Sequence, residues 1–432
     1  MNNLNVVRGT PDTDFGVRSE VVLYGEQGQR LQPRVVTFLS EPNRILCAAT
    51  DEERQEIYLC MLDEEGGIDE SFGKAGSVFF KLSEFFPGWD LPQPYSVKFD
   101  SVHGKYVLGF FARKDGFNRA TGLARFDLNG KLDEGFGSKG VMLWSLDLKE
   151  VAPASSDVPK VKQPLADKGR DYHGTMELLD DGGVLLLTTL DDRGFFDRAF
   201  VVKLKNNGGL DETFGNGGYR LVSRGSSILV IGQDMFCQGD GYIVAASEGL
   251  RDKSWFVGRY DARGDLDASF GVGGYYDGVP SVKSVILKRD DRSQFYIIGT
   301  SDNGVPQYLF LQLQRRGLKG EEDPLFGKQG WGGFITDDFS DIYMTKAALY
   351  NLKSTVVVAG YAYLRGGSDS QAFIASLEQD MGWDEGFGVA GKVVFPKDQI
   401  IHDLAVQEDR KIVFVSSKNR ENGSFAIFRL HG

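Results

Sequence analysis

The stretch Gly130-Lys-Leu-Asp-Glu-Gly-Phe-Gly-Ser-Lys-Gly140 decides the fold, because a version of it occurs seven times along the 432-residue chain. Every copy keeps an Asp, two variable residues and then Phe-Gly, and we call this unit the DxxFG phrase. Its seven Asp and Phe pairs are Asp12 and Phe15, Asp69 and Phe72, Asp133 and Phe136, Asp211 and Phe214, Asp267 and Phe270, Asp323 and Phe326, and Asp384 and Phe387. The repeat spans the whole chain, so residues 1–432 are predicted to form a single domain.

The spacing of the phrases predicts a ring. Successive phenylalanines are 57, 64, 78, 56, 56 and 61 residues apart. The 45 residues after Phe387 and the 15 residues up to Phe15 together make 60, so the spacing continues when the two ends are joined. A closed ring of seven units predicts this continuity, whereas an open solenoid gives no reason for it.

Each unit consists of four short β-type runs, A to D, separated by turns. In the third unit these runs cover residues 140–144, 175–179, 184–188 and 199–204. The C runs are continuously apolar, as in strands buried on both faces, and the D runs alternate. The prediction is an all-β, seven-bladed β-propeller with four antiparallel strands per blade, closed by its N- and C-terminal segments. Two alternatives stay open for the last strand, residues 425–430: it pairs with residues 20–24, or each blade is contiguous in sequence. Which strand is innermost also stays open.

The phrase itself has a predicted structural role on the connection from run D to run A. We expect this connection to carry the chain from one blade to the next. Most copies have Gly six residues before the Phe and four residues after it, which indicates backbone with positive φ or close approach. The Asp is expected to accept backbone N–H groups just downstream in an Asx-type turn. The Phe is expected to pack between neighbouring blades.

The repeat resembles the delta-60 repeat family of bacterial propeller-like proteins, whose pattern is similar to G-x-L-D-x-x-F-G-x-x-G. The best matches are residues 130–140 and 264–274, and the remaining copies lie at about 9–20, 66–76, 208–218, 320–330 and 381–391. Pro11, Glu322 and Trp383 replace the usual Leu. The resemblance implies a scaffold and no defined chemistry.

Composition limits the classes of partner and the compartment. The net charge of −12 disfavours nucleic acids and anionic membranes, which are bound by clustered Lys and Arg. Three cysteines give no disulfide framework, and Cys47 and Cys60 are expected to be buried thiols that could face each other in one hairpin. The start of the chain shows no signal peptide and no apolar run could span a membrane, so we expect a cytoplasmic, monomeric ring. Export by a signal-less route stays open.

No motif predicts a catalytic, metal or cofactor site. The acidic groups around Asp63 and Asp265 lack the spacing of a calcium loop. The four histidines fall in different units, without a cysteine at zinc-ligand spacing and without a nucleophile motif. Sites assembled near the axis of the ring from several blades leave no local motif, so an axial enzyme remains the third hypothesis.

Departures from the repeat gather in the second and third units, in the A–B and C–D connections. The insertions are residues 83–95 and about 146–172, and the C–D connections are 113–119 and 193–198. They mix Arg with aromatic residues, the composition of binding hot spots. The candidate partner-binding residues are Phe85, Phe86, Trp89, Tyr95, Arg113, Phe117, Arg119, Arg193, Phe195, Phe196 and Arg198. The alternative is that Phe85, Phe86 and Trp89 fold back onto their own blade.

The favoured function is therefore a non-enzymatic interaction scaffold that binds a protein partner through the loop-decorated face of blades 2 and 3. A carbohydrate-binding, lectin-like propeller is the alternative, with a glycan on an aromatic platform. A lectin with one site per blade would repeat its aromatic and polar residues in most loops. These loops do not repeat, which argues against a multivalent lectin but leaves a single site open.

Overall fold

The computed structural model describes residues 7–25, 27–39, 43–114, 118–145, 174–191, 197–225, 229–248, 254–277, 285–289, 294–301, 309–317, 319–321, 323, 331–336, 339–350, 355–364, 370–378, 382–418 and 424–432. Within these residues, the strands form seven four-stranded antiparallel sheets, and one short helix, α1 (Leu82–Phe85), follows the first of them. The predicted all-β class and the four-stranded antiparallel units are confirmed.

Each sheet takes three or four consecutive strands of the chain. The first strand of the chain, β1 (Glu20–Val21), belongs to sheet 7. Sheet 1 contains β2 (Gln32–Leu39), β3 (Arg44–Asp51), β4 (Glu56–Leu62) and β5 (Ser77–Lys81). Sheet 2 contains β6 (Trp89–Asp100), β7 (Lys105–Lys114), β8 (Asn118–Asp127) and β9 (Val141–Trp144). Sheet 3 contains β10 (Thr175–Leu178), β11 (Val184–Asp191), β12 (Asp197–Leu204) and β13 (Tyr219–Leu221).

The remaining sheets repeat this order. Sheet 4 contains β14 (Val230–Gln238), β15 (Gly241–Glu248), β16 (Ser254–Asp261) and β17 (Tyr275–Asp277). Sheet 5 contains β18 (Val285–Arg289), β19 (Gln294–Ser301), β20 (Leu309–Gly317) and β21 (Trp331–Thr336). Sheet 6 contains β22 (Phe339–Tyr350), β23 (Thr355–Leu364), β24 (Ser370–Leu377) and β25 (Lys392–Lys397). Sheet 7 contains β26 (Gln399–Val406), β27 (Ile412–Lys418), β28 (Ser424–Leu430) and β1.

The sheets are arranged as the blades of a propeller. The first strand of each sheet contacts the first strand of the next, in the order β2, β6, β10, β14, β18, β22, β26. Strand β26 in turn contacts β2. Run B of the sequence is therefore the innermost strand, and run A is the outer strand of the preceding sheet. Sequence left this point open because B and C runs are both largely apolar.

The last strand pairs with the N-terminal segment. Glu20 lies opposite Phe428, and Val21 lies opposite Ile427. Asp12 N–H donates to the Arg429 carbonyl at 3.0 Å, and His431 N–H donates to the Thr10 carbonyl at 2.9 Å. Of the two alternatives for residues 425–430, the structure therefore has the pairing with the N-terminal strand.

The predicted covalent path through the phrase is wrong. Asp69, Phe72 and Gly73 lie between β4 and β5, which belong to the same sheet. The chain instead passes from sheet 1 to sheet 2 after the outer strand β5, through α1 into β6. The DxxFG phrase is instead the turn between the third strand and the outer strand of one sheet. It therefore connects strands within a sheet and not between sheets.

The phrase nevertheless joins neighbouring sheets through non-covalent contacts. Phe72 is buried in the core between sheets 1 and 2, with its ring 5.7 Å from that of Tyr106. The Gly of each described DxxFG phrase donates its N–H to a backbone carbonyl of the next sheet. The accepting residue immediately precedes the glycine that lies six residues before the Phe of the next phrase. Six such bonds of 2.7–3.1 Å are present in the described residues: Gly16 to Glu65, Gly73 to Asn129, Gly137 to Asn207, Gly215 to Arg263, Gly271 to Lys319 and Gly388 to Arg8.

Local geometry at the phrase follows the predictions. The Asp side chains of five copies accept the N–H two residues on at 3.0–3.2 Å: Asp12, Asp69, Asp133, Asp211 and Asp267. The glycines six residues before the Phe have φ of +80° to +85° wherever described, so the Asx turn and the positive φ are confirmed. Cys47 and Cys60 are buried free thiols directly opposite each other on β3 and β4.

Candidate functional site

The candidate partner-binding residues begin where the strands of sheet 2 are extended. Strands β6, β7 and β8 have 12, 10 and 10 residues, compared with 8, 8 and 7 for β2, β3 and β4 in sheet 1. The β7–β8 hairpin is therefore longer than the β3–β4 hairpin of sheet 1. Arg113 lies directly opposite Arg119 in the longer hairpin. We call the end of sheets 2 and 3 at which the described residues 83–95, 113–114, 118–119 and 197–198 lie the decorated end.

Three predicted aromatic residues anchor this end. Phe85, Phe86 and Trp89 are half-buried and pack against the hydrophobic core between sheets 1 and 2. The Phe85 ring is 6.0 Å from that of Phe80, in an edge-to-face arrangement. Helix α1 positions them, because it turns the chain over the top of the core immediately after β5. These contacts give the rings a packing role, and their binding of a partner stays a prediction.

Tyr95 lies on the side of sheet 2 that faces sheet 3. Its ring is 4.6 Å from that of Phe111, and its hydroxyl is 3.0 Å from Thr121 Oγ1. Burial raises the pKa of the Tyr95 hydroxyl, while its hydrogen bond with Thr121 opposes that shift. Tyr95 is thus a neutral, hydrogen-bonded side chain at the junction of the two sheets that carry the decorated end.

The arginines of the prediction differ in their surroundings. Arg113 and Arg119 are partly exposed and lie opposite each other on β7 and β8. Arg113 also lies opposite Asp90 on β6. Arg198 on β12 is buried. Phe117, Arg193, Phe195, Phe196 and the insertion at 146–172 lie outside the described residues. In the described part, the structure therefore brings Trp89, Arg113 and Arg119 together at one end of sheet 2.

Charged side chains also occur on the innermost strands, where an axial active site would lie. Lys346 Nζ is 2.9 Å from Asp403 Oδ1, linking sheets 6 and 7. Asp403 accepts the N–H of Val36 at 3.0 Å and the N–H of Leu404 at 3.0 Å. Burial lowers the pKa of Lys346, but the Asp403 carboxylate beside it outweighs that effect and holds the pKa above its usual value. Asp403 of sheet 7 is therefore linked to sheet 6 by its ion pair with Lys346 and to sheet 1 by its hydrogen bond with Val36.

Among the described residues, a β-bulge occurs in the first strand of five sheets. The pairing of the first two strands shifts around Arg34, Tyr95, Gln233, Thr345 and His402. Bulges redirect side chains and occur often beside functional sites. The residue types differ at every bulge, so no sequence signal marked them.

One bulge produces a His–Ser contact. His402 Nε2 is 2.9 Å from Ser417 Oγ, and the imidazole stacks on Phe425 at 5.6 Å. Burial, and then the nearby Arg34 guanidinium, lower the pKa of His402 to about 3. A general base works best with a pKa near the operating pH, and burial keeps the pKa of His402 below neutral pH. The pair is therefore poorly suited to activate a serine nucleophile.

Sequence reasoning missed an aromatic cluster on sheet 6. Tyr343 and Tyr361 lie opposite each other with ring centroids 5.1 Å apart and planes 9° apart. The Tyr363 ring is 6.0 Å from both and nearly perpendicular to them. The alternation Tyr361-Ala362-Tyr363 indicates that the two tyrosines lie on one face of a strand. The sequence does not show that Tyr343 lies beside them, because this depends on the pairing register of β22 and β23.

No group of three or more His, Cys, Asp or Glu side chains among the described residues is arranged to hold a metal ion. No helix among the same residues is long and apolar enough to cross a membrane.

Comparisons with known proteins find likeness in structure only. No family model and no curated protein matches the chain. Among solved structures, Drosophila Semaphorin 2a is similar over 99% of this chain and 77% of its own, with 9% identity and a TM-score of 0.48. The β-propeller domain of the Trilobed protease from Pyrococcus furiosus is similar over 90% and 89%, with 10% identity and a TM-score of 0.41. The WD40 domain of SCAP from fission yeast is similar over 96% and 88%, with 10% identity and a TM-score of 0.38.

Proposed function

We propose that the chain forms a closed, seven-bladed ring of the delta-60 repeat type and serves as a non-enzymatic interaction scaffold. Support for the ring comes from the cyclic order of first-strand contacts and from the pairing of β1 with β28. The hydrogen bond from Gly388 to Arg8 gives the junction between sheets 6 and 7 the same contact as the internal junctions. A ring of this kind is a rigid platform for binding.

The proposed binding surface is the decorated end, and the proposed occupant is a protein partner. The observation that carries this proposal is the opposed pair Arg113 and Arg119 on an extended hairpin. Like charges at directly opposed positions of a sheet are unfavourable. Asp90 lies opposite Arg113 on β6 and offsets one of the two charges, so the support for the proposal is the positive charge that remains at this end of the hairpin. Lys114 is the next residue on β7, which concentrates positive charge at the tip of a protein with net charge −12.

The partner suited to this tip has an acidic surface. A basic, aromatic tip would steer an acidic surface toward it, and Arg with aromatic residues dominates binding hot spots. Because Phe85, Phe86 and Trp89 pack on the core, the tip would be held rigidly and would lose little side-chain freedom on binding. The role of these rings would then be to support the basic hairpin.

The absence of catalysis is part of the proposal. Two ion pairs on the innermost strands join neighbouring sheets in the described part of the chain: Lys346 with Asp403, and Lys98 with Glu177. The lowered pKa of His402 makes its imidazole a poor general base for Ser417 at neutral pH. Both observations favour a binding role over the axial enzyme.

Site-specific photo-crosslinking tests the proposed surface. A photo-reactive phenylalanine analogue at position 113 should crosslink a protein partner in the native cell extract, and that partner should then be purified. The variant R113E/K114E should bind the purified partner at least tenfold more weakly, and the difference should shrink in high salt because the attraction is electrostatic.

The matched control reverses two charges at the opposite end of the same sheet, in K131E/K139E. Both lysines are exposed, so this variant should keep full affinity and both variants should keep the wild-type melting temperature. Equal loss of affinity in the two variants would show a general charge effect. Crosslinking at position 131 but not at position 113 would refute the decorated end as the binding surface.

A further inference from the structure

The tyrosine cluster on sheet 6 lies at an extended end of its sheet. Strands β22 and β23 have 12 and 10 residues, the lengths of β6 and β7 in sheet 2. The first strand carries two register shifts, around Ser340 and Thr345, as β6 also does. The first two strands of sheet 6 therefore match those of sheet 2 in length and in their register shifts, but carry different side chains at this end.

The three rings form a corner on the face of sheet 6 that is turned toward sheet 7. Tyr361 and Tyr363 share their strand face with Val357 and Ala359, which pack in the core between sheets 6 and 7. Tyr343 and Tyr361 stack on each other, so one wall is the face of Tyr361 turned away from Tyr343, and the perpendicular Tyr363 ring makes the other wall. All three side chains are partly exposed.

Polar groups border this corner. The connection from β25 to β26 crosses from sheet 6 to sheet 7 at this end, and Asp398 N–H donates to the Ser370 carbonyl at 2.8 Å. Ser370 lies opposite Tyr363, so the exposed Asp398 is one strand away from the aromatic wall. Lys397 lies opposite Gln371 and therefore belongs to the other face of the sheet. Asp398 also has φ of +62°, a conformation that non-glycine residues rarely adopt.

This combination matches a sugar ring better than a peptide segment. A pyranose has an apolar face of C–H groups, which stacks on an aromatic ring, and an edge of hydroxyl groups, which needs nearby polar partners. Binding sites for small ligands combine aromatic walls with a few polar groups in this way. The two walls would contact the face and the rim of a single sugar, whereas an extended peptide would need a longer groove or a free strand edge.

We propose that Tyr343, Tyr361 and Tyr363 form a single carbohydrate site that takes one pyranose unit, with Tyr361 stacking on its apolar face. The site is independent of the decorated end on sheets 2 and 3. A single sugar offers few atoms, so its dissociation constant should be about 1 mM.

Saturation-transfer NMR with methyl glycosides of glucose, galactose, mannose and N-acetylglucosamine tests this site on the full chain. At least one glycoside should bind the wild-type protein saturably. Y361A and Y363A should each weaken that binding by about tenfold, whereas Y361F should retain it because the ring face remains. Y24A removes an exposed tyrosine elsewhere in the molecule and should change nothing.

Thermal melting of each variant separates loss of the site from loss of the fold. If Y361A is unstable, Y361L keeps an apolar side chain without a ring and replaces it in the comparison. Absence of binding by all four glycosides would overturn the proposal. So would binding that Y361A, Y361L and Y363A leave unchanged. Neither result affects the crosslinking test of sheet 2.

Discussion

At the scale of single residues, the phrase is a small cluster of Asp, Phe and a basic side chain. Arg125 donates from Nε to Asp133 at 3.0 Å, and its guanidinium lies 4.5 Å from the Phe136 ring centroid. Arg429 repeats the arrangement with Asp12 at 2.8 Å and with Phe15 at 4.6 Å. The sequence predicted the Asp turn and the buried Phe, because both lie within one short phrase. It did not predict the Arg, which comes from the preceding strand and differs among the copies.

The first prediction concerns the buried phenylalanines. Phe136 is fully buried between sheets 2 and 3, so F136A should lower the free energy of unfolding by about 3–5 kcal/mol. Urea denaturation measures the change. V272A, at an exposed position of another phrase, should stay within about 0.5 kcal/mol of wild type. A loss below about 1 kcal/mol for F136A would contradict the packing role.

The second prediction distinguishes two costs of replacing a glycine by alanine: a steric clash of the new Cβ and an unfavourable backbone conformation. Gly130 has φ of +82°, and a Cβ there would lie 2.5 Å from Val78 Cγ2 and 3.0 Å from Phe72 Cζ. Gly217 has φ of +67°, and a Cβ there would meet nothing within 4 Å. G217A should lose about 1–2 kcal/mol from its left-handed backbone alone, and G130A should lose about 1–3 kcal/mol more. Equal losses in denaturant titrations would exclude the close contact.

At the scale of elements, the runs between phrases predicted the strands but not their roles. The apolar C run was identifiable because a strand buried on both faces has no polar alternation. Bulges were not identifiable, since Tyr95, Gln233 and His402 share no chemistry and differ only in register. The tyrosine cluster was missed for the same reason, because Tyr343 and Tyr361 are distant in sequence and adjacent in the sheet.

The phrase turns should also make the protein sensitive to acid. Hydrogen bonds from the Ser71, Thr213 and Ser269 hydroxyls are the main cause that holds the pKa of Asp69, Asp211 and Asp267 below its usual value. A folded-state pKa below the unfolded value of about 3.9 stabilises the fold above that pH, and this stabilisation is lost as the pH falls through the folded pKa.

The free energy of unfolding should therefore be steady above about pH 5 and should fall below about pH 4. The triple variant S71A/T213A/S269A removes the three hydroxyls, so its stability at neutral pH should be lower and its fall in acid shallower. Chemical denaturation at a series of pH values measures both quantities. Parallel curves for the variant and wild type would show that these turns do not set the acid response.

At the scale of the whole molecule, the N-terminal segment is proposed to complete the last blade. Arg429 and Asp12 are both almost fully buried where the two ends meet. R429M leaves the Asp12 carboxylate without this partner and should cost about 3–5 kcal/mol, while D12N/R429M should recover part of the loss. R263M, at an exposed position, serves as the control. A negligible effect of R429M would show that this pair does not hold the ends together.

The sequence predicted four-stranded antiparallel units, because the same series of short β-type runs follows each copy of the phrase. The closed ring of seven stays a prediction from the spacing of the copies. The sequence did not predict a binding site, because the decorated end and the tyrosine corner are departures from that repeat. Arg113 and Arg119 illustrate the limit: their proximity in sequence suggested a loop, whereas the structure has them on opposed strands of one hairpin.

Hydrogen exchange at the phrase glycines tests the proposed ring most directly. Gly137 N–H bonds to the Asn207 carbonyl at an internal junction, and Gly388 N–H bonds to the Arg8 carbonyl of the N-terminal segment. Exchange followed by fragmentation mass spectrometry resolves both amides. A closed ring predicts protection of Gly388 within about tenfold of that of Gly137, a difference of about 1.4 kcal/mol. Exchange of Gly388 at the rate of an exposed amide, with Gly137 still protected, would contradict closure.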